Sequence, residues 1–203
     1  MSEPIILKKI MPLVGMRDLV YARVMEDTAE GVDYGSVKAI AGVMGFGFVP
    51  GNKEAVGYGD DGVFARFSGN TDAEGSLELN TIPKEMEIDW FGHKVDANGI
   101  VSSNKDDICN PVAIGFKAMK TDGHFRYVWV YNVEPSQPED TYRTLEDGAT
   151  IQTKTIAMKC TPRKYDGEMQ AKADTDDETI TDKTIFTNWL KAVYERTPVT
   201  PDP

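Results

Sequence analysis

Reactive side chains are scarce in this chain, which has two cysteines, two histidines and three tryptophans among 203 residues. Cys109 and Cys160 stand far apart, with no CxxC spacing and no Cys/His cluster, so two free thiols are expected rather than a zinc site or a disulfide. Neither His93 nor His124 has a serine or cysteine in a nucleophile-elbow pattern to serve, and a hydrolase triad has nothing to stand on. No apolar run approaches the ~20 residues of a membrane span. The stretch from Met1 to Pro12 carries charges and prolines where a signal peptide would hold an unbroken apolar core, so a cytoplasmic product is expected. Basic residues are outnumbered, 22 against 33 acids, for a net charge of -11. Most of such a surface repels a phosphate backbone, which argues against nucleic-acid binding by charge neutralisation.

What is present suits one soluble domain with a substantial core: 40% apolar and 27% charged residues. The most strongly patterned stretch runs from Pro111 to Val133, two runs rich in β-branched and aromatic residues on either side of Asp122-Gly123. That dipeptide predicts a two-residue type I′ hairpin, with Ala118 facing Tyr127, Phe116 facing Trp129 and Ile114 facing Tyr131.

Around it the pattern predicts an arm over 1–15, broken by Pro4, Pro12 and Gly15. A strand follows from Leu19 to Met25, then a glycine-interrupted one from Val37 to Val49. Gly, Asp and Asn dominate from Pro50 to Gly75, a long protruding loop or hairpin in which only Val63 to Phe67 reads as strand. Leu77 to Ile82 alternates as a strand with one wet face, and Pro83 opens a short helix carrying Met86, Trp90 and Phe91. A tight turn is expected at Asn98-Gly99, and a third hairpin over Thr150 to Ala173 about Asp166-Gly167. Asp174 to Thr181 reads as a solvated acidic loop. Asp182 caps a final helix with Ile185, Phe186, Trp189, Leu190 and Val193 on one stripe, ahead of a proline-rich tail. The fold class expected is mainly β, an antiparallel β-sandwich or barrel with one or two peripheral helices. The domain would span 16–175, with 176–203 as a C-terminal helix and tail.

The motifs that suggest chemistry fail on context. Gly57-Tyr58-Gly59-Asp60-Asp61-Gly62 fits G-x-G-x-x-G, but two aspartates would repel a pyrophosphate and a strand follows instead of a helix. Asp174 to Glu178 resembles a calcium loop, yet Thr179 stands where the glycine belongs and Ile185 where the bidentate acid belongs. Glu85 and Asp89 share a helical spacing, as carboxylate pairs do by chance in a chain with 33 acids. Arg126, Tyr127, Trp129 and Tyr131 form a strip read as core or subunit interface, although sugars or bases stack on such strips too. No enzyme activity, cofactor or metal is expected.

Several stretches resemble the major tail proteins of long, flexible-tailed bacteriophages, the subunits of the tail tube. They are Val14 to Ala22, Asp27 to Gly35, Tyr58 to Gly62, Gly92 to Asp96, Asn104 to Asp107 and the hairpin from Val112 to Tyr131. The segment Gly42 to Gly47 departs from the pattern. The resemblance implies a tail-tube-protein-like β-sandwich whose hexameric rings stack into a hollow tube, a homo-oligomer by self-assembly. It implies a virion tail location after assembly in the host cytoplasm. Partners would be the tape-measure, tail-terminator and distal-tail proteins, with DNA passing the lumen unbound. Ring stacking is then expected from the 50–75 loop, with Asn52, Lys53, Glu54, Val56, Tyr58, Asp60 and Asp61 as contacts, and from the arm through Ile5 and Leu7. A carbohydrate-binding or adhesive β-sandwich module, and the tube subunit of a phage-tail-like bacteriocin, are the alternatives.

Overall fold

The computed structural model describes residues 11–59, 62–142, 144 and 152–197. In chain order the elements are β1 (Leu13–Asp27), β2 (Val32–Tyr34), β3 (Lys38–Ala39), β4 (Val43–Gly59), β5 (Gly62–Leu79) and α1 (Lys84–Phe91). They continue with β6 (Lys94–Val95), β7 (Val101–Ser102), β8 (Val112–Lys120), β9 (Phe125–Pro135), β10 (Lys154–Cys160), β11 (Gln170–Asp174) and α2 (Ile185–Asn188). Nine strands form one curled, wholly antiparallel sheet in the order β2-β1-β8-β9-β10-β5-β4, with β3 added to β1 and β11 to β9. Strands β6 and β7 pair separately across the turn at Gly99, which has φ 83°. The mainly β class with two short helices is as the pattern predicts.

The hairpin at the centre of the sheet forms, but one residue out of the predicted register. Gly123 alone takes a positive φ, 86°, and the Lys120 amide bonds the His124 carbonyl at 2.8 Å across a three-residue loop. A type I turn closed by a left-handed glycine has replaced the two-residue loop. Ala118 therefore pairs with Arg126, Phe116 with Val128, Gly115 with Trp129 and Ile114 with Val130. With a period of two, that shift changes which side chains share a face. Ile114, Phe116, Val128 and Val130 look into the concave core with Leu19, Tyr21, Leu77, Leu79 and Ile156. Tyr127, Trp129 and Tyr131 lie on the opposite face.

Helix α1 closes the concave core with Met86, Trp90 and Phe91, all buried. Pro83 is its N-cap rather than its first residue, and Gly92 ends it with φ 71°. A Cβ at Gly92 would meet the Ile108 carbonyl at 2.6 Å, so only glycine fits. Tyr21 ties the helix to β1, edge-on to Trp90 at 5.6 Å and donating to Asp89 at 2.6 Å.

Three further expectations are corrected. The arm ends sooner than 15, because β1 starts at Leu13 and Gly15 already pairs with Met119; one strand neighbour outweighs a lone glycine. The third hairpin does not close on itself: β10 pairs with β5 and β9, while β11 pairs with β9 from Gln170 to Asp174. The final helix is a single turn from Ile185 to Asn188, with Thr184 at its N-cap and Asp182 accepting the Thr184 amide at 2.9 Å. The proline-rich tail from 198 onward lies outside the described residues.

Candidate assembly surfaces

Strands β4 and β5, of 17 and 18 residues, make a ribbon much longer than the sheet it leaves. β10 accompanies β5 only from Ala73 to Leu79. Beyond Gly51 and Thr71 the two strands have only each other among the described residues. At about 3.3 Å per residue, some 25–30 Å of two-stranded ribbon extends on its own. Such a ribbon is marginally stable in water unless something packs on it. The predicted protruding loop is this ribbon, and the G-x-G-x-x-G match lies at its far end, where Gly59 pairs with Gly62 and strand rather than helix follows.

The predicted contact residues divide accordingly. Asn52 pairs with Asn70, Lys53 with Gly69, Glu54 with Ser68, Val56 with Arg66 and Tyr58 with Val63. Asn52, Lys53 and Glu54 are exposed, and Val56 is half-buried. Glu54 and Arg66 form a cross-strand ion pair at 3.5 Å, both largely in solvent. Asp60, Asp61, Ile5 and Leu7 lie outside the described residues. Sequence reasoning missed Phe67, which is 69% exposed on the other ribbon face, opposite Ala55. Its ring edge lies 3.2 Å from where a Cβ on Gly69 would stand. The alternation Val63, Ala65, Phe67 was the signal that marked it.

Two strand borders at opposite ends of the sheet are open. Among the described residues β4 pairs only with β5, and β1 between Leu13 and Arg17 pairs only with β8, since β3 and β2 join it further on, at Val20 to Tyr21 and Val24 to Asp27. Between these borders a groove of about 530 Å³ opens, walled by β1 and β4 and floored by β8, β9 and β11. Its apolar lining includes Leu13, Val14, Phe46, Phe48 and Phe116, and Phe46 and Phe116 are tilted rings 5.2 Å apart. Arg126 and Lys172 are its only charged residues among those described.

The aromatic strip is covered by the chain itself. Trp129 is fully buried and donates its indole N–H to the Trp189 carbonyl at 2.7 Å. The Tyr131 hydroxyl donates to the Tyr194 carbonyl at 2.9 Å, and Trp189 stacks on Tyr194 at 4.5 Å. Arg163, buried and 3.8 Å above the Tyr131 ring, clamps this strap by donating to Glu195 at 2.8 Å, to Tyr34 at 3.2 Å and to Asp166. Burial pushes the Tyr34 phenol up to about 12, although Arg163 pulls the other way.

The acidic loop is not simply solvated. Asp174 accepts two bonds from Arg126, at 2.7 and 2.8 Å, and Asp176 accepts from the buried Lys120 at 2.5 Å. Burial alone would lower the Lys120 ammonium, but hydrogen bonds to Asp176 and Asp174 outweigh it and hold it above its ordinary value. Among the described residues no three His, Cys, Asp or Glu side chains gather as a metal site. Both cysteines are free thiols, and burial pushes the Cys160 thiol up to about 11. No helix among the described residues is long and apolar enough to cross a membrane.

No family model matches the chain, and no curated protein does. Among solved structures, the chain is similar to the cap that terminates the tube of the anti-feeding prophage, determined by electron cryo-microscopy. The TM-score is 0.45 at 10% identity, over 84% of this chain and 95% of the other.

Proposed function

We propose that the protein is a structural virion component, the repeating subunit of a phage tail tube. In this reading copies join side by side into rings and the rings stack. The observation that carries it is the ribbon beyond Gly51 and Thr71, a marginal element without a third strand among the described residues that displays Phe67 to solvent. A second support is the pair of open borders, β4 and the start of β1, at opposite ends of one sheet. An identical neighbour that joins β4 of one copy to β1 of the next removes both edges, and a head-to-tail contact of this kind closes into a ring when its rotation allows. The sequence resemblance supplies the number six and the conduit role. A wall of chains carrying -11 each lets DNA pass without adhering, provided the acids face the lumen.

The carbohydrate-binding reading loses its strip, because Trp129 and Tyr131 lie beneath Trp189 and Tyr194. The tube reading is tested by replacing 53–69 with an Asn-Gly turn, which shortens the ribbon at its Asn52–Asn70 pair. The shortened protein is expected to fold and stay monomeric where the full chain forms tubes by negative-stain microscopy. Tubes of ordinary length from the shortened protein would refute the role given to the ribbon.

A further inference from the structure

We infer that Asn98-Gly99 is a latent modification site, a turn whose sequence cyclises to a succinimide when free to do so, and that Asp96 holds it shut. The inference is independent of the tube reading. Asparagine followed by glycine occurs once in the chain, at this turn, and every residue from Lys94 to Ile100 is exposed to water. In the reaction the Gly99 backbone nitrogen loses its proton and attacks Asn98 Cγ. The N–Cγ bond forms as Cγ–Nδ2 breaks, and Nδ2 leaves as ammonia with that proton. Water then opens the imide at one carbonyl or the other, leaving aspartate or isoaspartate in place of the asparagine. Glycine favours the attack because it has no Cβ to crowd the nitrogen.

The folded turn opposes each step of that path. Its nucleophile is engaged, since the Gly99 amide donates to the Asp96 carbonyl at 3.0 Å. That bond closes a turn in which neither Ala97 nor Asn98 has a positive φ, while Gly99 is left-handed at 83°. This is a type I turn with a glycine bulge, and it directs the Gly99 nitrogen away from the Asn98 Cβ, whereas ring closure needs it rotated onto Cβ. The Asp96 side chain braces the same geometry. Its Oδ1 accepts the Asn98 and Ile100 amides at 2.9 and 2.8 Å, and its Oδ2 lies 3.5 Å from the leaving Nδ2. The bond from Ile100 holds the Asp96 carboxyl below its ordinary value, so it remains a charged acceptor. Lys84, at the start of α1, donates to the Gly99 carbonyl and ties the loop to the helix.

The experiment follows the tryptic peptide Val95–Lys105 by tandem mass spectrometry while the full chain is incubated at mildly alkaline pH, with the mass gain of amide-to-acid conversion assigned to Asn98 or Asn104 by fragmentation. Folded parent should convert at Asn98 at least about tenfold more slowly than parent held unfolded in urea, the scale of a few hydrogen bonds that must break first. Folded Asp96→Ala should recover most of the unfolded rate. Asp96→Asn, which keeps Oδ1 as an acceptor, should stay near the parent. The melting temperature of both variants should change little, because β6 and β7 stand apart from the main sheet and the turn is exposed. Folded parent converting as fast as unfolded parent, or Asp96→Ala converting at the folded parent's rate, overturns the guard role of Asp96. An Asn98 that does not convert even in urea overturns the site itself.

Discussion

The indole of Trp129 lies directly over Gly115, its cross-strand partner: a Cβ on Gly115 would stand 2.7 Å from two of the ring's carbons. The glycine therefore makes room for the largest buried side chain on the outer face of the sheet, and the indole needs that room to reach the Trp189 carbonyl. Gly115→Ala should destabilise the protein by about 1–3 kcal/mol, as overpacking does, because a ring hydrogen-bonded at its far side has little freedom to shift. For a chain of this size that is a fall of about 2–4 °C in Tm per kcal/mol, read by a thermal melt followed through tryptophan emission. An unchanged Tm would show that the ring tilts away at no cost.

That pairing also marks where legibility ended. The run from Val112 to Tyr131 announces a hairpin by composition, and it is one. Its register depends on whether Asp122 adopts a positive φ, which Asp-Gly permits without requiring, and Gly123 alone does so. Alternation in Leu77 to Leu79 and the Met86, Trp90, Phe91 spacing were readable because local pattern and burial agree there. The pairing of β11 with β9 rather than β10 was not, since Gln170 to Asp174 fits a hairpin return equally well and only the tertiary arrangement decides. Arg163 carried no sequence signal, because its partners Tyr34, Asp166 and Glu195 converge from three parts of the chain.

Arg163 holds the C-terminal strap, and its removal is the sharper of two related tests. Its side chain is 1% exposed beside Asp166 and Glu195, so Arg163→Met strips both carboxylates of their cation, while Glu168 keeps its ion pair with Arg196 at 3.1 Å. Breaking a buried pair from that side costs on the order of 3 kcal/mol. Glu195 is half in solvent, so Glu195→Gln should cost less than about 1 kcal/mol. Urea titrations of both variants check the asymmetry, and equal losses would mean that Glu195 alone carries the clamp.

Acid should loosen the protein at the other end of β9. Hydrogen bonds from Arg126 hold the Asp174 carboxyl below its ordinary value, and a hydrogen bond from Lys120 does the same for Asp176. Acids with lowered folded values stabilise above their unfolded pKa, near 4, and lose that contribution as pH falls through the folded values. Glu195 runs the opposite way: burial raises it despite Arg163, so its contribution grows as pH falls. With Asp174 and Asp176 both lowered, net stability should drop below about pH 4. Asp174→Asn should be less stable than the parent at pH 7, and the two melting temperatures should converge near pH 2. A constant gap across that range would show that Asp174 acts by packing and not by charge.

Hydrogen exchange separates the anchored and unanchored halves of the ribbon. From Ala73 to Leu79, β5 lies between β4 and β10, and Leu77 and Leu79 are fully buried. Opening those amides requires breaking the core, so they should exchange near the rate of global unfolding. From Gly62 to Thr71 there is no third strand among the described residues and Phe67 is in solvent, so fraying costs little more than the ribbon's own bonds. In dilute monomer, mass-spectrometric exchange should show a step in protection between Thr71 and Ala73. Assembly should erase that step, slowing the outer ribbon by at least about a hundredfold, because seating it against another copy couples its opening to dissociation. Uniform protection along β5 in the monomer would mean the ribbon is rigid by itself and has no need of a partner.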